Sequence, residues 1–253
     1  MTAMPVELIA DLRRRVREAD EILVLSGAGV SAESGVPTYR GAGGLWKNFR
    51  AQDLATVEAF DRDPALVWGW YRSRRRALLD CEPNAAHRAL AEAVERGLEL
   101  RVVTQNIDGL HTFAGLDGVL ELHGNIWREK CVRCPQTVDR CEDYLARRAV
   151  PVDDPPPECP GCGDILRPDV VWFGEQLDTR VLEQAFRLAE SCELMLVVGT
   201  SCEVHPAALL PLVARKAGAY VVEVNIEPTV ATDRCSVSLF EPAARALPKL
   251  FAE

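Results

Sequence analysis

Four cysteines stand in two short pairs, Cys131 with Cys134 and Cys159 with Cys162, separated by the 24 residues 135–158. Two C-x2-C turns can each present two thiolates, and bringing them together completes a tetrahedral zinc site while closing the intervening loop. Gly161 and Gly163 suit a tight second turn. Redox pairs or unrelated core thiols are the alternative, and the joint occurrence of both pairs argues for metal. Four sulfur ligands leave no open coordination position, so one Zn2+ is expected in a structural role and none in catalysis. Cys81, Cys141, Cys192, Cys202 and Cys235 lack a partner pattern and receive no role.

A second candidate is Gly27-Ala28-Gly29-Val30-Ser31, directly after an apolar run. A glycine turn at that place lets backbone amides approach a pyrophosphate at a helix N-terminus. The string is G-A-G-V-S, not G-x-G-x-x-G, so a plain tight turn at a strand end explains it equally well. The four histidines, His87, His111, His123 and His205, titrate near neutrality and suit proton transfer. Taken singly, each also reads as a satisfied core histidine.

Such groups need a scaffold. Pro5 followed by Val6, Ile9, Leu12 and Val16 has helical spacing, with proline suited to a first turn. Ile22-Leu23-Val24-Leu25 is apolar without alternation, as in a parallel strand covered on both faces. Leu100-Arg101-Val102-Val103, Leu194-Met195-Leu196-Val197-Val198 and Tyr220-Val221-Val222-Glu223-Val224 read as further strands. Helices are expected from Asn84 to Arg96, closed by Gly97, and from Pro206 to Ala217, closed by Gly218. Strands alternating with helices predict an α/β fold with a doubly wound parallel sheet, its ligands at the carboxyl ends of the strands. Residues 127–165 break the rhythm and end near Asp153-Asp154-Pro155-Pro156-Pro157, so they read as an inserted module.

The 253 residues carry 38 acidic and 29 basic side chains, and the net charge of -9 argues against a direct nucleic-acid partner. With 48% hydrophobic and 26% charged residues the chain is expected to fold. Apolar runs are too short for a membrane helix, and Asp11 with Arg13-Arg14-Arg15 interrupts any secretory pattern, so no membrane association and a cytoplasmic location are expected. Nine cysteines, an odd number, then fit metal ligation better than a disulfide framework.

One further string, Gly27-Ala28-Gly29-Val30-Ser31-Ala32-Glu33-Ser34-Gly35-Val36-Pro37-Thr38-Tyr39-Arg40, combines with Thr104-Gln105-Asn106-Ile107-Asp108-Gly109-Leu110-His111 and Leu122-His123-Gly124. With the cysteine module, Val171-Trp172-Phe173-Gly174-Glu175, Gly199-Thr200-Ser201 and Val224-Asn225-Ile226-Glu227, these resemble the sirtuin signatures in order over nearly the whole chain. The resemblance implies a Rossmann-like NAD-binding domain from 1–37, 84–126 and 166–253, a cofactor-binding loop and helical insertion at 38–83, and a zinc module at 127–165. It implies an NAD-dependent protein deacylase acting on acylated-lysine proteins or peptides; a monomer is expected.

By matching positions, the resemblance implies that Gly27, Ala28, Gly29, Ser31, Gly199, Thr200 and Ser201 line the NAD phosphate region. Asn225 and Glu227 address the adenosine end, while Gln105, Asn106, Ile107 and Asp108 form the nicotinamide-ribose pocket. Thr38, Tyr39 and Arg40 belong to the cofactor loop, where Tyr39 departs from the phenylalanine of many family members. His123 is the implied general base, and His111 supports its own loop. In the implied reaction the acyl-amide oxygen attacks the anomeric carbon of the nicotinamide ribose as nicotinamide leaves. His123 then draws a proton through the ribose hydroxyls, and the products are free lysine, nicotinamide and O-acyl-ADP-ribose.

Tyr71 and Arg74, three apart in Trp68-Gly69-Trp70-Tyr71-Arg72-Ser73-Arg74-Arg75-Arg76, share one helix face. A phenol and a guanidinium suit a carboxylate. The pattern resembles the sirtuin subgroup that removes succinyl and malonyl as well as acetyl groups; a solvated basic helix face is the alternative. Val171, Trp172, Phe173, Gly174 and Glu175 resemble the segment against which a substrate peptide adds by backbone pairing, although Trp172 reads equally well as core. Two rival functions share parts of the pattern: a nicotinamide-dependent oxidoreductase with structural zinc, and a non-enzymatic zinc-ribbon module.

Overall fold

The run at 22–25 lacks alternation because its strand, β1 (Ile22–Ser26), is buried along its whole length. The computed structural model describes residues 6–38, 54–147, 150–151 and 154–252. Tyr39 and Arg40 lie outside the described residues. The other strands are β2 (Leu100–Thr104), β3 (Leu120–Glu121), β4 (Gly124–Cys131), β5 (Thr137–Asp139), β6 (Leu166–Val170), β7 (Leu194–Val198), β8 (Tyr220–Asn225) and β9 (Val237–Phe240). Six form one sheet in the order β3-β2-β1-β7-β8-β9, with every pairing parallel.

Alternate residues of the central strands serve two cores. Ile22, Val24, Val102, Leu196 and Val222 face the helices Val6–Glu18, Ala85–Glu95 and Ala243–Leu250. Leu23, Leu25, Val103, Val197 and Val221 face Thr179–Ser191 and Leu210–Ala217. This is the doubly wound α/β arrangement that the apolar runs predict. Asn84 caps its helix, accepting from the Ala86 N–H at 2.9 Å. The expected helix from Pro206 begins instead as a short 3-10 turn, Ala207–Leu209, before the α-helix at Leu210.

The strand order reverses beside β1, whose neighbours are β2 and β7. Chain leaving these strands meets at the carboxyl edge, where such folds bind ligands.

A second, antiparallel sheet runs β5-β4-β6. Its apolar face shares one core with the helices Val57–Arg62 and Pro64–Leu78, through Phe60, Val67, Trp68, Tyr71, Ile126 and Trp127. The arginine-rich end of the second helix is not a solvated face. Arg75 is buried, donating to the Ile126 carbonyl at 2.6 Å and to Glu129 at 2.8 Å. Arg72 donates to the backbone carbonyls of Asp154 and Pro155. Arg76 donates to the Val150 carbonyl at 3.1 Å, and the Trp68 indole to the Leu166 carbonyl at 2.8 Å. The helix and the cysteine-bearing sheet are therefore one packed unit.

Candidate active site

The loops after β1 and β7 touch backbone to backbone. Gly29 donates to the Gly199 carbonyl at 2.8 Å, and Gly27 to the Val198 carbonyl at 3.0 Å. A Cβ on Gly29 would lie 2.7 Å from the Gly199 Cα, and one on Gly199, where φ is +60, would lie 2.5 Å from the Val30 nitrogen. These glycines are needed for loop-to-loop contact, whatever else they approach. Thr200 ties three loops together: its hydroxyl accepts from the Gln105 side chain at 2.8 Å, and its carbonyl from the Asn225 side chain at 3.0 Å. Ala28 and Gly199 are half-buried beside this junction, while Ser201 and Glu227 are exposed.

Beneath the loops lies a buried polar cluster. The Asn84 N–H donates to His87 Nδ1 at 3.2 Å, so His87 carries its proton on Nε2 and points it at Ser31 Oγ, 3.4 Å away. Ser31 Oγ also accepts from the Asn106 side chain at 3.1 Å and donates to Asp108 at 2.8 Å. One donated and two accepted bonds fill that hydroxyl's capacity. A parallel chain joins Ser26 to Thr104 and to His111 Nε2, both at 2.8 Å. Burial raises the Asp108 carboxyl above its ordinary value, against the Leu110 N–H, the Ser31 hydroxyl and the nearby Arg74 charge. Burial also pushes His87 down to about 2 and His111 down to about 4, so both are neutral at physiological pH. Ile107 is buried next to this cluster and accepts the Ile126 N–H at 2.8 Å. Thr38, on the far side of the Ala28–Ser34 turn, is half-buried.

His123 sits between β3 and β4, where the chain passes from the large sheet to the small one. The turn depends on Gly124 at φ +76, where a Cβ would lie 2.1 Å from the Asp169 carbonyl oxygen. His123 Nδ1 lies 2.8 Å from the Gln105 carbonyl, an acceptor only, so Nδ1 carries the proton and Nε2 keeps its lone pair. Burial lowers its pKa, partly offset by that carbonyl, which leaves a neutral base near neutrality.

In the core of the small unit, Tyr71 is buried and its oxygen accepts the Trp172 indole N–H at 2.9 Å. Arg74 is half-buried, its guanidinium 4.9 Å from the Trp70 ring centre. Val171–Glu175 leaves β6 as an extended link and turn, not a ladder strand. Val171 donates to the His123 carbonyl and Phe173 to the Ala55 carbonyl, each at 2.9 Å, and Gly174 has a φ of +87. Phe173 and Gly174 are exposed. Glu175 takes a two-bond fork from Arg167 at 2.6 and 2.9 Å. Burial raises the Glu175 carboxyl, but the fork and the Trp172 N–H outweigh it and hold the group below its ordinary value.

The sulfur atoms of Cys131, Cys134, Cys159 and Cys162 lie within 4.8 Å of one another, with Cys131 to Cys162 at 3.5 Å and Cys134 to Cys159 at 3.6 Å. A tetrahedron with Zn–S bonds of about 2.3 Å has edges of about 3.8 Å, so the set fits zinc. Burial raises the Cys131 thiol, but the N–H groups of Arg133 and Cys134 outweigh it and bring it to about 7. Burial raises all five unassigned thiols, Cys81 among them, with Cys141 and Cys235 pushed to about 12 and Cys192 and Cys202 to about 11.

The structure thus brings Gln105, Thr200 and Asn225 into direct contact, joins Ser31, Asn106 and Asp108 in one network, and links Tyr71 to Trp172. Sequence reasoning assigned no role to His87, Ser26 or Thr104, and overlooked Arg167 and Glu223. Glu223 is fully buried and accepts from Thr229, Thr232 and Ser238 behind the loop that follows Asn225. The signal was a carboxylate inside the apolar run Tyr220–Val224.

Among the described residues, no helix is long and apolar enough to cross a membrane. The family model described as the Sir2 family matches residues 27–206. The chain is 47% identical over 245 residues to NAD-dependent protein deacylase 2 of Pyrobaculum aerophilum, covering 97% of this chain and 94% of that one. A solved Sir2 homolog in complex with NAD superposes with a TM-score of 0.87 at 38% identity, covering 99% of this chain and 93% of the other. A further Sir2 structure, holding a deacetylated p53 peptide and 3'-O-acetyl ADP ribose, gives 0.81 at 33% identity, with 98% and 97% covered. With most of the signature strings inside the matched region and near-complete coverage by relatives, the chain belongs to the Sir2 family.

Proposed function

We propose that this chain removes succinyl, malonyl and acetyl groups from lysine side chains of proteins, with His123 as general base and Tyr71 and Arg74 recognising acidic acyl groups. The coarser activity follows from kinship: the chain is an NAD-dependent protein deacylase. NAD, when bound, supplies the glycosidic bond whose cleavage releases nicotinamide and leaves O-acyl-ADP-ribose as the second product. The donor set at the carboxyl edge fits it. Gly27, Gly29 and Gly199, whose N–H groups are bonded to the Val198, Gly199 and Val224 carbonyls, would let the phosphates approach the backbone closely beside Ala28, Thr200 and Ser201; Asn225 and Glu227 would meet the adenosine; and Asn106, Ile107 and Asp108 the nicotinamide ribose.

The observation that carries the reading is the fixed tautomer of His123: a neutral imidazole whose Nδ1–H is anchored on the Gln105 carbonyl and whose Nε2 can accept a proton. Gln105 is itself held by Thr200, so base and cofactor loops are one assembly. Cys131, Cys134, Cys159 and Cys162 would hold a structural Zn2+ that fixes the small sheet. The exposed Phe173–Gly174 turn beside His123 is the place where substrate backbone would pair.

A peptide panel carrying succinyl-, malonyl- or acetyl-lysine, assayed by mass spectrometry with and without NAD, tests the activity. Deacylated peptide and free nicotinamide should form together. Reversible reduction of the cofactor without deacylation would favour an oxidoreductase instead. Tyr71→Phe with Arg74→Met should lower desuccinylation about tenfold or more relative to deacetylation, because both groups serve the acyl carboxylate. Equal losses on the two peptides would remove that assignment.

A further inference from the structure

Trp172 stands in a chain of contacts that ends on Tyr71. Glu175 receives the Arg167 fork and also the Trp172 backbone N–H at 2.8 Å. Arg167 donates in addition to the Val170 carbonyl at 2.9 Å, and its guanidinium lies 3.3 Å from the Trp172 ring centre. Phe60 packs against the same indole with ring centres 5.2 Å apart. The indole is therefore fixed in its backbone, on its face and at its rim, and it is buried.

An indole N–H can only donate, so the 2.9 Å contact makes the Tyr71 oxygen an acceptor and turns the phenol's own hydrogen away from Trp172. Donation by the indole also makes the phenol a better donor in its turn, because hydrogen bonds in a chain polarise one another. A phenol that must donate to an acyl carboxylate gains on both counts.

We propose that Trp172, locked by Arg167 and Glu175, is a positioning residue for acyl selectivity, acting through Tyr71. This deepens, and rests on, the reading that Tyr71 addresses acidic acyl groups. Trp172 would accordingly contribute its side chain to acyl choice and its backbone to the peptide-binding segment, two separable roles.

The test is a double-mutant cycle on the full-length enzyme, with Trp172→Phe, Tyr71→Phe and the pair, each assayed on succinyl-lysine and acetyl-lysine forms of one peptide. The readout is the ratio of the two kcat/KM values, which is independent of the fraction of folded enzyme in a preparation. Trp172→Phe should lower the succinyl-to-acetyl ratio several-fold, mainly through KM for the succinyl peptide, and should have no further effect once Tyr71 is phenylalanine. A ratio unchanged by Trp172→Phe but lowered by Tyr71→Phe would overturn the role of Trp172 alone. Additive effects of the two substitutions would overturn it as well, because Trp172 would then act independently of the phenol. A ratio unmoved by Tyr71→Phe would overturn the acyl-recognition reading, and this inference with it.

Discussion

The two halves of the molecule hold their functional side chains in place by different forces. In the large sheet, Gly27 and Gly29 meet Gly199 backbone to backbone, and the polar groups below are held by hydrogen bonds among Ser31, Asn106, His87, Ser26 and Thr104, with the carboxyl groups of Asp108 and Glu223 bonded to hydroxyls and a backbone N–H and not to guanidiniums. In the small unit, Arg75 joins the helix Pro64–Leu78 to the cysteine-bearing sheet through Glu129, Arg167 on β6 holds the link that follows it through Glu175, and four cysteine sulfurs are gathered at one end in a set that suits a single cation. The difference follows from size. Six strands and five helices bury two apolar cores, whereas the three-stranded sheet shares a single apolar core with two helices, and charge pairs and a bound metal would add to what that burial supplies. His123 lies at the seam, bonded through its ring to Gln105 on one side and through its carbonyl to Val171 on the other.

If that division holds, metal removal has the largest effect. A closed thiolate site couples binding to folding by roughly 10 kcal/mol, so a strong chelator should lower the melting temperature. Amide hydrogen exchange should then show protection lost over residues 124–170 before β1, β7 and β8. Uniform loss across both sheets would erase the distinction.

Next comes His123. Replacement by Ala should leave the fold and the metal intact and lower deacylation by about 10²–10⁴-fold, the usual worth of a general base. Its lowered pKa also sets a sign: kcat/KM should fall as pH drops through a value below the usual 6.5, when Nε2 takes a solvent proton. Near-normal turnover in the variant would mean that another group is the base.

The smallest effect separates the halves by pH. His87 and His111 titrate near 6.5 in the unfolded chain but at about 2 and about 4 when folded. Below pH 6.5 the unfolded state therefore binds protons that the folded state refuses, and stability falls with falling pH. The contribution of His111 levels off near pH 4, where the folded form also protonates, after a loss of about 3 kcal/mol. The Arg167–Glu175 pair, with its carboxyl held below its ordinary value, contributes stability that starts to fade as pH drops below the usual carboxylate range and is lost through the lowered folded value. Urea midpoints between pH 7 and pH 4 should show the slope, and His111→Gln should reduce it by about half, leaving the share of His87.

Much of this was legible in the residues. Unalternating apolar runs announced strands covered on both faces, because a parallel sheet leaves neither face to solvent. Paired cysteines announced a four-sulfur cluster of a size that suits a metal, because the spacing within each pair is a local property. The roles of single polar residues were less legible. Arg72, Arg75 and Arg76 read as readily as a solvated face, since nothing near them in sequence discloses the carbonyls and carboxylate that a distant sheet offers. Glu223 carried a weak signal, a charge inside an apolar strand, whereas Arg167 stands in the mixed string Leu166-Arg167-Pro168-Asp169-Val170 and carried none; for both, only the folding of the following loop brings the partners into reach.

The sequence by itself determined the four central strands, three of the helices that cover them, the cysteine set and the motif order that marks the family, because periodicity, turn chemistry and motif order are all written along one dimension. Only tertiary structure decided which ring nitrogen of His87 and of His123 carries the proton, that Gly29 and Gly199 let two loops touch, and that the Trp172 indole donates to the Tyr71 oxygen. Those facts depend on the distance between residues far apart in the chain, and a hydrogen bond is made or lost within a fraction of an ångström.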